Sequence, residues 1–336
     1  MKKLKILSIA LLLVITACKD EKKVKYLPES TGAINSLAVV MDNELWQGEV
    51  GDRVREHFAA PVVGLTLEEP LFTINYMPQS VFSGTIRHSR SVLFVAKDST
   101  SKALLKKDVY ARPQNVAVIS GSTVDEIITN IDAKASEIIE TFKELEITEA
   151  QNRFRRSLNK EQALKNNFGI TLDIPSAYRV GKQERNFVWI DRQVPKGTMN
   201  LVVYEMPEDY FKSDTTLVKD IIRMRDSIGA YYIPGEDIPG KKNHMVSEKN
   251  LAPHVYPVEV SGKKAVEVRG LWEMSDYPMG GPYLTYIIND KGNHRKLIIE
   301  GFTFAPATQK RDNMFELEAI IKTLKFDSIE ETTPKE

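Results

Sequence analysis

The sequence predicts an α+β protein of two domains, each a largely antiparallel sheet packed with helices, with a long helix joining them. Strand-like segments occur in runs with helical patterns before and after them, which is typical of α+β folds rather than of strict βαβ alternation. Apolar residues from Val124 to Leu145 recur at alternating steps of four and three, which indicates a long helix with one apolar stripe. A chain of 336 residues, 42% of them hydrophobic, is long enough for two domains of ordinary size.

Five segments follow from this pattern. They are a signal peptide (1–17), a lipidated cysteine with a flexible tether (18–34), an N-terminal α+β domain that ends in the long helix (35–160), a C-terminal α+β domain (161–326) and a disordered tail (327–336).

The first segment has the features of an export signal. Lys2, Lys3 and Lys5 form a basic start, and an almost wholly apolar run follows from Ile6 to Ile15. Such a run is too short to span a bilayer, which needs about 20 apolar residues, but it suits a cleaved signal peptide. The segment ends in Ile-Thr-Ala-Cys, which resembles the bacterial lipobox, and Cys18 is the only cysteine of the chain. We therefore expect lipid attachment at Cys18; the alternative is an ordinary signal peptide whose final residue happens to be a cysteine.

The residues after the cysteine indicate where in the cell envelope the protein is exported to. Lys19, Asp20 and Glu21 follow directly, and this lysine followed by two acids resembles the export signal of surface lipoproteins of the Bacteroidetes. The resemblance implies an outer-membrane protein anchored by its lipid, because several acyl chains together make release negligible. Both the cell surface and the periplasmic face of the outer membrane remain open, since short charged runs also begin ordinary tethers.

The N-terminal domain is predicted to begin with a buried strand, Leu37 to Met41, because this run is continuously apolar. Asp42 or Asn43 can cap the next helix, whose core-facing stripe is Trp46, Val50, Val54 and Phe58. Further strands are predicted around residues 71–76, 91–96, 109–112 and 116–120. The long helix then starts at a capping box formed by Thr123 and Glu126, and it could extend to Leu158.

The C-terminal domain is predicted to open with an alternating strand from Phe168 to Pro175. A helix capped by Asp214 and stopped by Gly229 lies in its middle. The other predicted elements are strands around 188–190, 201–204, 265–273, 283–289 and 296–304, a tight turn at 290–293, and a final helix with Met314, Leu317, Ile321 and Leu324 on one stripe.

Charge and motif content exclude several classes of function. The 46 basic and 46 acidic residues balance, so the chain has no electrostatic footprint for nucleic acid. Gly235 to Lys242 approaches a phosphate-binding loop, but Lys242 stands where the hydroxyl belongs and Pro239 removes a backbone donor. The five histidines are scattered without the spacing of zinc ligands. The sequence therefore predicts neither a cofactor nor a bound metal, and no catalytic residue could be assigned.

One stretch suggests a ligand site. A Gly/Pro-rich stretch follows Trp272, and aromatic side chains beside such a loop at a sheet end can stack on sugars or hold a peptide. The alternative is a long hairpin connection whose aromatics fold onto the core. The candidate ligand-binding residues are Trp272, Tyr277, Met279, Gly280, Gly281 and Tyr283.

Two charged clusters offer weaker hypotheses. Arg153, Arg155 and Arg156 form the one basic cluster, where an acidic partner or a phosphate could dock, although a solvated helix face explains it as well. The adjacent acids Glu68 and Glu69 could serve glycoside cleavage only if another carboxylate faced them.

The arrangement as a whole resembles an uncharacterised lipoprotein family of the Bacteroidetes, a domain of unknown function of the DUF4837 type. The resemblance depends on the signal, the tether, and stretches such as Phe187 to Ile190 and Gly270 to Glu273. The second half also resembles the PsbP-like fold, through its Phe-Gly-Ile-x-Leu-x-Ile-Pro opening at Phe168 and its closing helix after Phe304.

Two functions remain open from the sequence. The first is a non-enzymatic envelope lipoprotein that binds an envelope protein or glycan, or supports envelope assembly, with the membrane contacted through the lipid. The second is a hydrolase of envelope or captured polymer, whose carboxylates come together only in the fold.

Overall fold

The computed structural model describes residues 26–327. The signal segment, Cys18, Lys19, Asp20, Glu21 and the tail beyond residue 327 lie outside the described residues. Residues 28–34, which the sequence analysis placed in the tether, carry backbone hydrogen bonds to the first half. For example, the Thr31 N–H donates to the His88 carbonyl at 2.8 Å and the Arg112 N–H donates to the Pro28 carbonyl at 2.8 Å. The chain is therefore attached to the folded part from Pro28 onward.

Six α-helices and fifteen strands make up this described part of the chain. The helices are α1 (Asn43–Gln47), α2 (Glu49–Phe58), α3 (Val124–Phe154), α4 (Ala163–Phe168), α5 (Leu217–Tyr232) and α6 (Arg311–Ile321). The strands of the first half are β1 (Ser36–Val40), β2 (Thr73–Met77), β3 (Ser91–Lys97), β4 (Lys102–Lys107) and β5 (Asn115–Gly121). The remaining strands are β6 (Ile170–Thr171), β7 (Arg179–Glu184), β8 (Phe187–Val194), β9 (Gly197–Pro207), β10 (Met245–Ser247), β11 (His254–Val260), β12 (Lys263–Met274), β13 (Tyr277–Asp290), β14 (Arg295–Phe304) and β15 (Lys325–Phe326).

The first sheet is mostly parallel, so the prediction of an antiparallel sheet is wrong for this half. Its strand order is β2-β1-β3-β5-β4. β1 runs parallel to β2 and β3, and β3 runs parallel to β5; only β4 is antiparallel to its neighbour. The physical reason is burial on both faces. Helices cover one side, and a smaller cluster around Phe82, Val92 and Val116 covers the other. Strands buried on both faces read as continuous apolar runs.

The predicted single helix after β1 is two helices. Gly48 adopts an extended conformation, with φ −102° and ψ −168°, and separates α1 from α2. A Cβ on Gly51 would lie 1.9 Å from the Trp46 carbonyl oxygen, so the chain can turn this closely only with glycine there. Val50, Val54 and Phe58 are buried as predicted, whereas Trp46 is half-buried and stacks on Tyr76.

The strand predicted at 109–112 is a turn, and the strand β4 that precedes it was missed. β4 lies at the edge of the sheet and carries Lys102, Lys106 and Lys107. Lysines on an edge strand are a common protection against unwanted pairing, and they hide the apolar alternation that would identify a strand.

The long helix α3 is confirmed, with 31 residues. The Glu126 N–H donates to the Thr123 hydroxyl at 3.2 Å, and the Glu126 carboxylate accepts from the Ser122 N–H at 2.6 Å. This reciprocal pattern satisfies two N–H groups at the helix start that have no partner within the helix. The buried stripe, which includes Ile131, Ile138 and Phe142, packs on the first sheet, and the last two turns pack on the second half.

The second sheet has eight strands in the order β10-β12-β13-β14-β9-β8-β7, with β11 also paired to β12. Every pairing in it is antiparallel, so the prediction is confirmed for this half. The end of α3 together with α6 covers one face of the sheet, and α5 covers the other.

Several details of the second half differ from the predictions: the strands β7, β10 and β11 were not predicted, and three further differences concern the helices. Residues 168–175 are the end of α4 and the short strand β6 rather than one strand. Asp214 does not cap α5; Ser213 caps the 3₁₀ turn Asp214–Thr216 that leads into α5, and its side chain accepts from the Thr215 N–H. Gly229 does not stop α5, which continues to Tyr232. A Cβ at Gly229 would lie 2.0 Å from the Met245 carbonyl oxygen, so this glycine permits close approach of β10.

The two halves meet through α6. The Glu69 carboxylate of the first half accepts the backbone N–H groups of Lys310 and Arg311 at the start of this helix. In the first turn of the same helix, the Asn35 side-chain amide donates to Asp312 at 3.1 Å. A helix N-terminus favours negative charge, so Glu69 completes a helix of the other half. No helix among residues 26–327 has both the length and the apolarity that a membrane crossing requires.

Candidate functional site

The predicted aromatic loop is a hairpin turn of two residues. β12 ends at Met274 and β13 begins at Tyr277, and these two residues pair across the turn. The prediction of a long loop is therefore wrong. Gly and Pro residues suggested a loop, but they lie inside a long strand here. A Cβ on Gly281 would lie 2.1 Å from the Thr303 carbonyl oxygen and one on Gly280 2.6 Å from the Trp272 carbonyl oxygen, so close packing of the backbone explains both glycines.

Most of these candidate residues are buried and cannot contact a ligand at the protein surface. Trp272 and Tyr283 are each 2% exposed. The Trp272 ring packs edge-on against Phe302 at 5.7 Å between ring centroids, and the Arg225 guanidinium lies 3.3 Å from the Tyr283 ring centroid. Met279 is half-buried. Tyr277 is the one exposed residue of the six candidates, so they do not form an aromatic platform.

The paired acids Glu68 and Glu69 have separate roles. Glu69 is 4% exposed and caps α6, whereas Glu68 is exposed. Three other buried glutamates each have an arginine partner within 2.8 Å: Glu146 with Arg90, Glu300 with Arg225, and Glu318 with Arg269. The oxygens of these carboxylates are therefore occupied by guanidinium donors inside the protein.

The three arginines of the basic cluster at the end of α3 have different surroundings in the structure. Arg155 Nε donates to Asp173 at 2.8 Å. Arg153 Nε donates to Glu149 at 2.9 Å, and its side chain lines a cleft. Arg156 is exposed and makes no ion pair within residues 26–327. One of the three predicted patch residues therefore borders a cavity.

This cleft has a volume of about 520 Å³ and lies where the two halves join. The last turn of α3, the 175–177 turn, β8 and the first turns of α6 surround it. Its lining residues are Ile34, Ala150, Arg153, Phe154, Ser157, Pro175, Ser176, Ala177, Arg192, Asp312, Phe315 and Glu316. Ligand sites commonly have volumes of about 300–1,000 Å³ and occur at domain interfaces. We take this junction cleft as the candidate functional site.

The inner part of the junction cleft is apolar. Ala150 and Phe154 come from α3, at positions four apart on one face, and Phe315 comes from α6. All three side chains are at least nine-tenths buried. They belong to the main core of the second half, so the packed core itself supplies the floor of the cleft and keeps it rigid.

One wall of the junction cleft is a fixed polar group. Arg192 Nη1 lies 3.0 Å from Glu316 Oε1, and the Tyr178 hydroxyl donates to the same oxygen at 2.9 Å. Burial, and then the negative charge of Glu316, raise the pKa of the Tyr178 hydroxyl, so the hydroxyl keeps its proton and remains a donor. The Arg192 guanidinium also lies 5.1 Å from the Tyr178 ring centroid.

Other residues of the rim are also held by hydrogen bonds. Asp312 accepts from Asn35 at 3.1 Å and from Arg311 Nε at 2.8 Å. The Ser157 hydroxyl donates to the Ser176 hydroxyl at 2.9 Å. Polar groups that already have partners lose little freedom when a ligand arrives, which is the general advantage of a pre-organised site.

Sequence reasoning missed most of this site. Its residues come from five separated segments and form no local motif, and only Arg153 had been singled out. The alternation in β8 and the period of α6 indicate which side chains point inward, but neither pattern indicates that two inward faces leave a gap between them. Within residues 26–327, no three His, Cys, Asp or Glu side chains lie close enough together to hold a metal ion.

Comparisons with known proteins divide the chain at the same junction. Residues 157–323 match the family model of a domain of unknown function, DUF4837, which confirms this part of the predicted resemblance. Residues 30–155 match a second domain of unknown function, DUF8532, which the sequence analysis did not separate from the first. No curated protein matches the chain.

Two solved structures are similar at low identity. The Ran-binding protein Mog1p of Saccharomyces cerevisiae is 9% identical, with a TM-score of 0.32, and the match covers 47% of this chain and 90% of that one. A mutant of protein Mog1 is 8% identical, with a TM-score of 0.29 and the same coverage. The PsbP-like resemblance of the second half stays a prediction.

The junction cleft is lined by both matched segments. Ile34, Ala150, Arg153 and Phe154 lie in the DUF8532 segment, and the other lining residues lie in the DUF4837 segment. Neither segment alone contains the whole site.

Proposed function

We propose that this protein is a lipid-anchored lipoprotein of the outer membrane that binds an envelope component in the junction cleft. The cleft itself carries the proposal, because it combines an apolar floor with a fixed polar rim and requires both halves of the chain. The lipobox-like segment ending at Cys18 supports the location, and the acyl chains expected there hold a protein at a bilayer.

The arrangement of acids favours binding over hydrolysis. Asp312 and Glu316 are the two carboxylates of the cleft, and they lie one turn apart on the same helix, α6. Hydrolysis of a glycoside by two carboxylates requires them on opposite sides of the scissile bond. Each acid here also has an arginine partner, so neither is free to act as a general base. These positions suit recognition of a ligand.

A cleft-filling substitution tests the proposal. Ala177 is exposed at the rim, so Ala177→Trp would place an indole in the cleft without entering the core. Ala230 is also exposed, but it lies on α5, which covers the other face of the second sheet. Ala230→Trp is therefore the matched control. The wild-type chain and both variants would be purified from detergent-solubilised outer membranes, and co-purifying proteins, lipids and glycans identified by mass spectrometry.

We expect a component that co-purifies with the wild-type chain and with Ala230→Trp, and that is lost with Ala177→Trp. The same set of components in all three preparations, or none above background, would contradict the proposal.

A further inference from the structure

Both carboxylates of the junction cleft are already paired with positively charged side chains. Glu316 already accepts from Arg192 and Tyr178, and Asp312 already accepts from Arg311 and Asn35. Within residues 26–327, Asp312 Oδ2 accepts no hydrogen bond, but the arginine charge beside each carboxylate offsets its attraction for a cationic ligand.

The arginines offer more to an incoming group. Arg153 uses its Nε on Glu149, and its two terminal nitrogens make no hydrogen bond to residues 26–327. Its side chain is 40% exposed at the rim. The guanidinium fork of arginine matches the two oxygens of a carboxylate, and such charge-assisted bonds are among the strongest in proteins. Of the basic cluster, only Arg153 lines the cleft.

If a ligand places an anionic group on Arg153, the floor of the cleft restricts what the rest of that ligand can be. Phe154 and Phe315 are 8% and 7% exposed, so neither ring offers an open face on which a sugar could stack. Small apolar groups can still contact the ring edges and the Ala150 methyl group. A narrow hydrocarbon chain fits this surface better than a glycan does.

We infer that the junction cleft binds an amphipathic anion, a hydrocarbon chain ending in a carboxylate, with the carboxylate on Arg153 and the chain over Phe154 and Phe315. This inference depends on the proposed function, because it names the ligand class of the same site. Of the three arginines that the sequence predicted as a partner patch, only Arg153 would contact this ligand.

A chain-length series of alkanoates tests the hydrocarbon part. The full-length chain carrying Cys18→Ser removes the predicted lipid attachment and with it the need for detergent. Isothermal titration with hexanoate, octanoate and decanoate should show binding that tightens by roughly tenfold for each pair of CH₂ groups, since each buried CH₂ contributes about 0.8 kcal/mol. Equal affinity for all three acids would overturn the inference.

The carboxylate contact is tested by comparing decanoate with n-decanol, which has the same chain and no charge. Decanoate should bind at least tenfold tighter, because a hydrogen bond to a charged group is worth about 1.5–3 kcal/mol. Arg153→Gln should remove this advantage and leave n-decanol binding unchanged. Arg155→Gln is the matched control, because Arg155 is bonded to Asp173 and does not line the cleft.

Three results would overturn the ligand assignment: no binding of either compound, equal binding of the acid and the alcohol, or equal loss with Arg153→Gln and Arg155→Gln. The proposed function would still stand in these cases if an envelope component is lost with Ala177→Trp and kept with Ala230→Trp. If Ala177→Trp and Ala230→Trp also retain the same envelope components, the cleft is not the binding site.

Discussion

Replacing Glu69 should weaken the whole molecule, although this residue lies in a loop of the first half. Its side chain is 4% exposed. Its two carboxylate oxygens accept the Lys310 N–H at 2.7 and 3.0 Å and the Arg311 N–H at 2.9 Å. Both N–H groups belong to the start of α6, where no intrahelical partner exists.

The size of the effect follows from these bonds. Loss of an N-terminal cap costs about 0.5–2 kcal/mol, and each buried N–H left without a partner costs about 1–3 kcal/mol. We expect Glu69→Ala to lower the free energy of unfolding by about 3 kcal/mol. Glu69→Gln keeps an oxygen acceptor and loses the charge at the helix N-terminus, so we expect a loss of about 1 kcal/mol.

Urea-induced unfolding measures this directly. Trp46 reports on the first half, and Trp189 and Trp272 report on the second, so fluorescence and far-UV circular dichroism follow both halves. The matched control is Glu68→Ala, because Glu68 is exposed and should change the free energy of unfolding by less than about 0.5 kcal/mol. If Glu69→Ala and Glu68→Ala unfold at the same urea concentration, the cap does not hold α6 and the reasoning is refuted.

Three further predictions concern the anchor and the buried charges. Cys18→Ser should move the protein from the membrane fraction to the soluble fraction, and an unchanged distribution on immunoblots of the fractions would argue against lipid attachment. Arg225→Met should lower the free energy of unfolding in urea by about 3–5 kcal/mol, because Glu300 would stay buried without its guanidinium partner; wild-type stability would contradict this. Burial raises the pKa of the Glu318 carboxyl, but the charges of Arg269 and neighbouring lysines outweigh it and hold the pKa well below its usual value of 4.5. A carboxylate of this kind stabilises the folded state above about pH 4.5 and loses that contribution as the pH falls further. Glu318→Gln should therefore lose less stability than the wild type between about pH 5 and pH 3 in urea titrations. An equally steep loss of stability in both proteins would count against the network that Glu318 forms with Arg269 and the lysines.

Local patterns predicted the elements with long and regular signals. Thr123 and Glu126 marked the start of α3 because capping depends on four consecutive residues, and the apolar period indicated its buried face. The strands β12, β13 and β14 were also recognisable, since each carries a long apolar stretch. These features depend on neighbours in the chain, and the structure confirms them.

Features that depend on distant neighbours were missed. The edge strand β7 is mostly polar and half of β4 is lysine, because one side of each pairs with no strand of the described chain. The parallel order of the first sheet depends on which strands become adjacent, and the connection from β3 to β5 runs through β4 without a helix. A sequence without a helical crossover there suggested hairpins instead.

The candidate site was the least predictable part. Gly280 and Gly281 suggested a loop, whereas they permit close contact between backbones. The junction cleft forms only where the end of α3 and the start of α6 lie side by side. Arg153 and Asp312, which represent these two ends, are about 160 residues apart in the sequence. Glu69 determines part of that arrangement from a third segment.

The central claim is that the junction cleft is where this protein binds an envelope component, and a thiol at its rim tests it most directly. In a chain with Cys18→Ser, which leaves no other cysteine, Ala177→Cys places one thiol at the cleft and Ala230→Cys places one on α5. The rate of maleimide labelling would be measured with and without a detergent extract of the envelope. We predict that the extract slows labelling of the Ala177→Cys variant and leaves the Ala230→Cys variant unchanged; equal rates with and without the extract in both variants would contradict the claim.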